Sequence, residues 1–212
     1  MSPARAPNSG GVTMAIGDFI NNAVDLLGRV HENTQSPEEK EWLVAAADAL
    51  EFIWATGQVY EFEDYREDRD IDAPPLVVAA FKTREEADSW LANNPKPPAM
   101  AYALIADEYY VVAYRRESNW RTFLPHPTLE FYIEEMVREG LPPAVATFNT
   151  REEADAWFNG QAGPPAQTVI QIGGERYLAV YYRNINHRAI FPFSIVERRK
   201  KGNDGGKEEL EE

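Results

Sequence analysis

The chain contains one stretch of sequence twice, and this internal repeat constrains the fold more than any other feature. Residues 75–125 align without a gap with residues 142–192 at an offset of 67 positions, and 22 of the 51 aligned pairs are identical. The core of each copy is the phrase Phe-x-Thr-Arg-Glu-Glu-Ala-Asp-x-Trp, at residues 81–90 and 148–157. So many identities at one offset indicate two copies of the same supersecondary unit.

Each copy has the pattern strand, helix, strand, strand. In the first copy an apolar run at 76–81 precedes a helix at 84–93 that prolines terminate, and two strands follow at 100–106 and 109–115. We expect two-residue hairpin turns at Asp107-Glu108 and, in the second copy, at Gly174-Glu175. A fourth short strand at 120–124 and 189–193 would extend each unit.

The residues before the repeats predict helices. Apolar positions recur at helical spacing over 14–32, where Thr13 can act as N-cap, and Ser36 and Pro37 mark the start of a second helix. The second helix has an apolar stripe made of Trp42, Leu43, Ala46, Ala49, Leu50, Ile53 and Trp54. Together the two helices predict a hairpin. Residues 60–72 hold seven acids, and periodicity leaves both a helix and an extended arm open.

These patterns predict an α+β fold, in which an N-terminal helical hairpin precedes two tandem βαββ(β) repeats related by pseudo-twofold symmetry. The predicted segments are a disordered leader at 1–12, a helical acidic segment at 13–73, the first repeat at 74–126, a linking helix at 127–141, the second repeat at 142–197 and a disordered charged tail at 198–212.

Composition limits the classes of function. The chain has no cysteine, which excludes disulfides and thiolate chemistry and fits a reducing compartment, so we expect a cytoplasmic protein. The net charge is -14, of which residues 1–75 carry -10, and such a field repels a nucleic-acid backbone and favours a basic partner. No apolar run is long enough to span a bilayer, and the start of the chain does not read as an export signal.

The identical residues of the repeat phrase have a structural interpretation. A Thr followed three positions later by Glu is a capping box, which predicts Thr83 and Thr150 as N-caps. Arg84 and Asp88 lie one helical turn apart, as do Arg151 and Asp155, and each pair predicts an ion pair. The apolar identities, which are Phe81, Ala87, Trp90 and Ile105 with Phe148, Ala154, Trp157 and Ile172, have the spacing of core residues.

A second set of identities follows the predicted hairpins and is the stronger candidate for binding. It consists of Tyr114, Arg116, Asn119 and Arg121 in the first copy and Tyr181, Arg183, Asn186 and Arg188 in the second. Two arginines and an amide within six residues can receive a carboxylate, a phosphate or an acidic peptide. The alternative is that these arginines pair with acids of the chain's own helices.

The sequence offers little support for catalysis and predicts neither a metal site nor a cofactor. His31, His126 and His187 are not at metal-ligand spacing, and the alternating Asp68, Asp70 and Asp72 lack the glycine and glutamate of a calcium loop. Tandem βαβββ units resemble the vicinal oxygen chelate architecture, which implies a cup between the modules. Residues 76–81 and 144–148 contain none of that family's His or Glu ligands, so the resemblance implies a ligand-binding relative without a metal.

Two functional hypotheses follow. The first is a non-catalytic protein-protein interaction module, such as an adaptor, an inhibitor or an immunity-type protein, that binds a basic protein partner through an acidic aromatic surface. Its predicted residues are Tyr60, Glu61, Phe62, Glu63, Asp64, Tyr65 and Glu67. The second is a cup between the repeats that binds a small anionic ligand or acts as an enzyme through the arginines of the second set. Neither hypothesis predicts an oligomeric state.

Overall fold

The computed structural model describes residues 16–70 and 73–196. The predicted cap at Thr13, the predicted leader and the predicted tail lie outside the described residues. The chain divides into two compact units, residues 1–67 and residues 68–212. Among the helices of the described residues, none combines the length and apolar character needed to cross a bilayer.

The described part of the N-terminal unit, residues 16–67, consists of helices and two short connections. Helix α1 covers Ile16–Asn33, α2 covers Pro37–Ala55, and α3 covers Val59–Asp70, the end of which belongs to the second unit. Ser36 caps α2 by accepting a hydrogen bond from the Glu39 backbone N–H, with Pro37 at the first helical position as predicted. The acidic stretch that periodicity left open is therefore helical as far as Asp70.

Helices α1 and α2 pack as the predicted hairpin, but the apolar stripe of α2 is not buried. A glycine allows the close packing at one end, because a Cβ at Gly17 would lie 3.1 Å from the Trp54 ring. None of the nineteen residues of α2, all of them described, is buried. The stripe splits into a half-buried side, with Leu43, Leu50 and Ile53, and exposed positions that include Trp42. One neighbouring helix covers only one side of a helix that is apolar around most of its circumference.

The second unit contains two four-stranded sheets of identical topology. The first repeat forms β1 (Val77–Phe81), α4 (Arg84–Asn93), β2 (Tyr102–Ile105), β3 (Glu108–Arg115) and β4 (Trp120–Pro125). Helix α5 (Thr128–Glu139) leads to the second repeat, which forms β5 (Thr147–Phe148), α6 (Arg151–Asn159), β6 (Gln167–Ile172), β7 (Glu175–Tyr182), a 3-10 turn (Arg183–Ile185) and β8 (His187–Pro192). In each sheet the strands lie in chain order, the first pair is parallel and the others are antiparallel. The α+β class and the fourth strand of each repeat are thus confirmed.

The hairpin turns lie one residue earlier than the sequence predicted. Ile105 pairs with Glu108, and Ile172 pairs with Glu175, so the turn residues are Ala106-Asp107 and Gly173-Gly174. All four have positive φ, from 51° to 90°, as a two-residue type I′ turn requires. The prediction was wrong because Glu108 and Glu175 complete the ladder, and the register decides which two residues remain for the turn.

The repeat phrase folds into the predicted capped helix. The hydroxyls of Thr83 and Thr150 accept hydrogen bonds from the backbone N–H groups of Glu86 and Glu153, both at 3.3 Å. The two carboxylates accept from the residue before each cap, Lys82 at 2.9 Å and Asn149 at 2.8 Å. The predicted i,i+4 ion pairs also form, with Arg84 to Asp88 at 2.9 Å and Arg151 to Asp155 at 3.1 Å.

Each sheet has a helix-covered face and a face that contributes to a core shared by the repeats. Helix α4 packs through Ala87 and Leu91 on the first sheet, and α6 packs through Ala154 and Phe158 on the second. The shared core takes residues from both sheets, from α5 and from the segment after β8: Val77, Leu104, Tyr109, Leu129, Ile133, Leu178, Val180, Tyr182, Ala189, Phe191 and Val196. The two repeats therefore form one hydrophobic unit.

The repeats do not contribute equally to this shared core. Phe191 on β8 is 1% exposed, whereas its counterpart Leu124 on β4 is 48% exposed. Tyr109 in the core corresponds to the exposed Arg176 of the second copy. The folds of the two repeats match, but their packing environments differ.

Candidate interaction surface

The acidic aromatic stretch forms one exposed side of helix α3. Tyr60 is 75% exposed and Tyr65 is 45% exposed, and the exposed acids Glu61, Asp64 and Glu67 lie between and beside them. Tyr60 and Asp64 are four residues apart, as are Glu61 and Tyr65, so each pair is adjacent on the helix surface. Five of the seven predicted residues are therefore brought together on one surface.

The other side of α3 is turned toward the rest of the N-terminal unit. Phe62 and Glu63 are both partly buried. Arg66 follows on this side, and its guanidinium carbon lies 3.7 Å from the centre of the Phe19 ring of α1, a cation–π contact. The contact fixes which side of α3 faces outward, and it separates Phe62 and Glu63 from the exposed five.

In the first repeat, Arg121 of the predicted binding set binds main-chain carbonyl groups. Its guanidinium donates to the Leu91 carbonyl at 3.0 Å and to the Asn94 carbonyl, at the C-terminal end of α4. It also donates to the side-chain oxygen of Asn119 and lies 5.4 Å from the centre of the Tyr114 ring. A cation at this position satisfies carbonyls that a helix end leaves without intrahelical partners.

The second repeat reproduces this arrangement. Arg188 donates to the Gln161 carbonyl, just after α6, at 3.0 Å and to the Asn186 side chain at 3.4 Å. Its guanidinium carbon lies 4.7 Å from the centre of the Tyr181 ring. Asn186 has a φ of 49° and Asn119 one of 53°, so both asparagines sit in left-handed turns that lead into the last strand.

The remaining two arginines of the set are exposed. Arg116 lies in the turn between β3 and β4, and Arg183 begins the 3-10 turn, where its nearest guanidinium nitrogen is 3.8 Å from a carboxylate oxygen of Asp68. Arg121 and Arg188 lie on the helix-covered faces of two different sheets, so the structure does not bring the eight residues into one site. Arg183 pairs with an acid, as the alternative interpretation of these arginines predicts, whereas Arg121 and Arg188 donate to backbone carbonyl groups.

The region between the two sheets is filled by the shared core and contains a chain of tyrosine hydroxyls. The hydroxyl oxygens of Tyr109 and Tyr182 are 2.7 Å apart, and Tyr109 donates to the Pro75 carbonyl at 2.8 Å. Burial raises the pKa of both tyrosines well above the ordinary value. Both hydroxyls are therefore neutral donors at physiological pH, and they contribute to structure.

His187 lies at the edge of this tyrosine chain. Its ring is 6.2 Å from the ring of Tyr182 and stacks on it, and its Nε2 is buried with no hydrogen-bond partner among the described residues. Burial lowers the pKa of His187, and the nearby charge of Asp107 opposes this shift. Within residues 16–70 and 73–196, no group of three His, Asp or Glu side chains has the geometry to hold a metal ion.

No protein-family model, curated protein or solved structure matches the chain. The fold defines an α+β protein that has N-terminal helices followed by a duplicated βαβββ repeat.

Proposed function

We propose that this protein is a non-catalytic protein-protein interaction module that binds a basic protein segment through the exposed side of α3. The observation that carries the proposal is the combination of two exposed tyrosines with three exposed acids on a single helix face. Acids accelerate and orient the approach of a basic partner, and tyrosines supply contact area at low entropic cost. The absence of cysteine supports a reducing compartment such as the cytoplasm.

The net charge of the whole N-terminal unit, and not only that of α3, supports the proposal. Residues 16–67 contain twelve acidic and three basic side chains, a net charge of -9. A surface with this field attracts a cationic segment over roughly a Debye length, about 10 Å at 0.1 M salt. The cup hypothesis gains no comparable support, since the space between the sheets holds packed side chains and two of its arginines bind carbonyls.

The test is capture of partners from a lysate at low and high salt, with two triple variants of identical charge. The first reverses Glu61, Asp64 and Glu67 to lysine on the exposed side of α3. The second reverses the exposed Asp25, Glu32 and Glu51 elsewhere in the same unit. We expect the first variant to lose a partner that the second retains, and we expect high salt to weaken the complex.

A further variant separates charge from contact. Replacement of Tyr60 and Tyr65 by serine leaves the net charge unchanged, so it should reduce retention of the partner without removing the salt dependence. Equal loss of binding in both triple variants, or no salt-dependent partner at all, would contradict the proposal.

A further inference from the structure

Helix α2 has a second apolar side that points away from the half-buried one. Trp42, Ala45, Ala49 and Phe52 are spaced at i, i+3, i+7 and i+10, and all four are exposed, the two aromatics at 63% each. This is the spacing of a coiled-coil seam over two heptads. We call these four residues the α2 seam.

The order of large and small side chains in the seam is symmetric about position 47. The two alanines lie four residues apart near the middle, and each aromatic lies three residues beyond an alanine. If two such helices cross antiparallel at their midpoints, Ala45 of one copy meets Ala49 of the other, and the backbones approach closely. Trp42 then lies beside Phe52 of the second copy, on either side of the crossing, where the helices diverge and leave room for large side chains.

We propose that the α2 seam is the interface of a homodimer in which two copies of α2 cross antiparallel. A second copy fits better than an unrelated partner because a twofold interface requires a self-complementary surface, and the seam's order large, small, small, large reads the same in both directions. The seam shares no residue with the exposed side of α3, so this inference does not depend on the proposed function.

The exposed area sets the strength of the dimer. Two aromatic side chains that are 63% exposed present about 250 Å² per copy when a buried aromatic covers about 200 Å². Both copies together then bury about 500 Å² of aromatic surface, and interfaces below about 1,200 Å² in total belong to transient complexes. The dimer is therefore weak and forms in a concentration-dependent way.

The acids beside the seam determine how the dimer responds to salt. Glu41 and Asp48 are exposed and flank the seam on one side. Two copies of a unit with net charge -9 repel each other, and salt screens this repulsion. The dimer should strengthen as salt increases, which is the opposite of the response expected for the basic partner of α3.

The test is sedimentation of the full chain over a concentration series at low and high salt, with charged variants of the seam. Trp42→Lys alone and Phe52→Glu alone should each remain monomeric, because each places a charge against an aromatic ring at both ends of the crossing. An equimolar mixture of the two should form a heterodimer, since Lys meets Glu at one end and the original aromatics meet at the other. A parallel arrangement would not show this rescue.

Val44→Lys is the matched control, since Val44 is 47% exposed on α2 but lies outside the seam. It should dimerise like the wild type, and circular dichroism should show equal helix content in all variants. A wild type that sediments as a monomer at every concentration and salt would overturn the proposal, as would a mixture that stays monomeric or a Val44 variant that dissociates as fully as the seam variants.

Discussion

The hydroxyl oxygens of Tyr109 and Tyr182 are 2.7 Å apart and connect the two repeats inside their shared core. Tyr109 also donates to the Pro75 carbonyl at 2.8 Å. A phenol has one hydrogen to donate, so Tyr109 uses its own on the carbonyl, and Tyr182 must be the donor to Tyr109. Tyr109 therefore takes part in both of these hydrogen bonds, whereas Tyr182 takes part in one.

Tyr109→Phe should destabilise the protein more than Tyr182→Phe. Loss of the Tyr109 hydroxyl leaves both the Pro75 carbonyl and the Tyr182 hydroxyl without this partner, at a cost of about 1–3 kcal/mol for each buried group. Loss of the Tyr182 hydroxyl removes one bond and leaves Tyr109 still bonded to Pro75, at a cost of about 1 kcal/mol. Urea unfolding of both variants, followed by tryptophan fluorescence, measures the difference.

The double variant provides the check on this prediction. Once Tyr109 is Phe, the additional change Tyr182→Phe removes a hydroxyl that already lacks its partner, so the double variant should lose less stability than the two single losses added together. Equal single effects that add without coupling would show that the hydroxyls do not form this chain.

The two hairpin turns offer a matched pair of substitutions at equivalent positions. Ala106 has a φ of 51°, and its counterpart Gly173 has a φ of 58°. A left-handed conformation costs a residue with a Cβ about 1 kcal/mol. Ala106→Gly should therefore raise the free energy of unfolding by up to about 1 kcal/mol, and Gly173→Ala should lower it by a similar amount.

Sterics do not confound the second substitution, because the nearest atom to a Cβ at Gly173 is the Asn149 carbonyl oxygen at 3.8 Å, an ordinary contact. Chemical denaturation of both variants gives the two values. Changes of the same sign in both copies would contradict the assigned turn.

The sequence repeat predicted the part of the fold that both copies use in the same way. Phe81, Trp90 and Ile105 lie on the helix-covered side, and the same residue types stand at the equivalent positions of the second copy. The shared core was not predictable by the same comparison. Leu104 corresponds to Gln171 and Tyr109 to Arg176, because the two sheets meet different neighbours on this side, and so no identity marks it.

The exposed side of α3 was more predictable from the sequence than the surroundings of the arginines in the repeats. Adjacent residues on one helix form a surface by local geometry alone, so the exposed side of α3 followed from the sequence once the stretch was helical. The partners of Arg121 and Arg188 are backbone carbonyls at helix ends. Every residue has such a carbonyl, so the residue types in the sequence do not indicate which ones accept. Three-dimensional positions alone distinguish these arginines from Arg116.

Arg121→Met should therefore destabilise the protein, and Arg116→Met should not. Arg121 makes charged hydrogen bonds to two carbonyls at the end of α4, and such bonds contribute about 1.5–3 kcal/mol each when partly shielded from water, less where solvent screens them. We expect a loss of about 1–3 kcal/mol for Arg121 and a change within about 0.5 kcal/mol for the exposed Arg116. Thermal and urea unfolding of the two variants, which have the same net charge, test this. Equal stability of the Arg121→Met and Arg116→Met variants would show that the Arg121 guanidinium does not stabilise the end of α4.

His187 makes the stability of the repeat unit depend on pH in a predictable direction. Burial against Tyr182 lowers the pKa of His187 in the folded state below its ordinary value of 6.5, and the charge of Asp107 offsets part of this shift. As the pH falls through 6.5, the unfolded chain takes up a proton that the folded protein does not, so the free energy of unfolding decreases until the folded pKa is reached. Above pH 6.5 the histidine is neutral in both states, so it does not change the free energy of unfolding with pH.

His187→Gln should remove this part of the pH dependence, so urea unfolding between pH 7.5 and 5 should show a smaller loss of stability in the variant than in the wild type. His31→Gln, in the N-terminal unit, controls for the loss of an imidazole elsewhere, and parallel curves for the wild type and His187→Gln would refute the assignment.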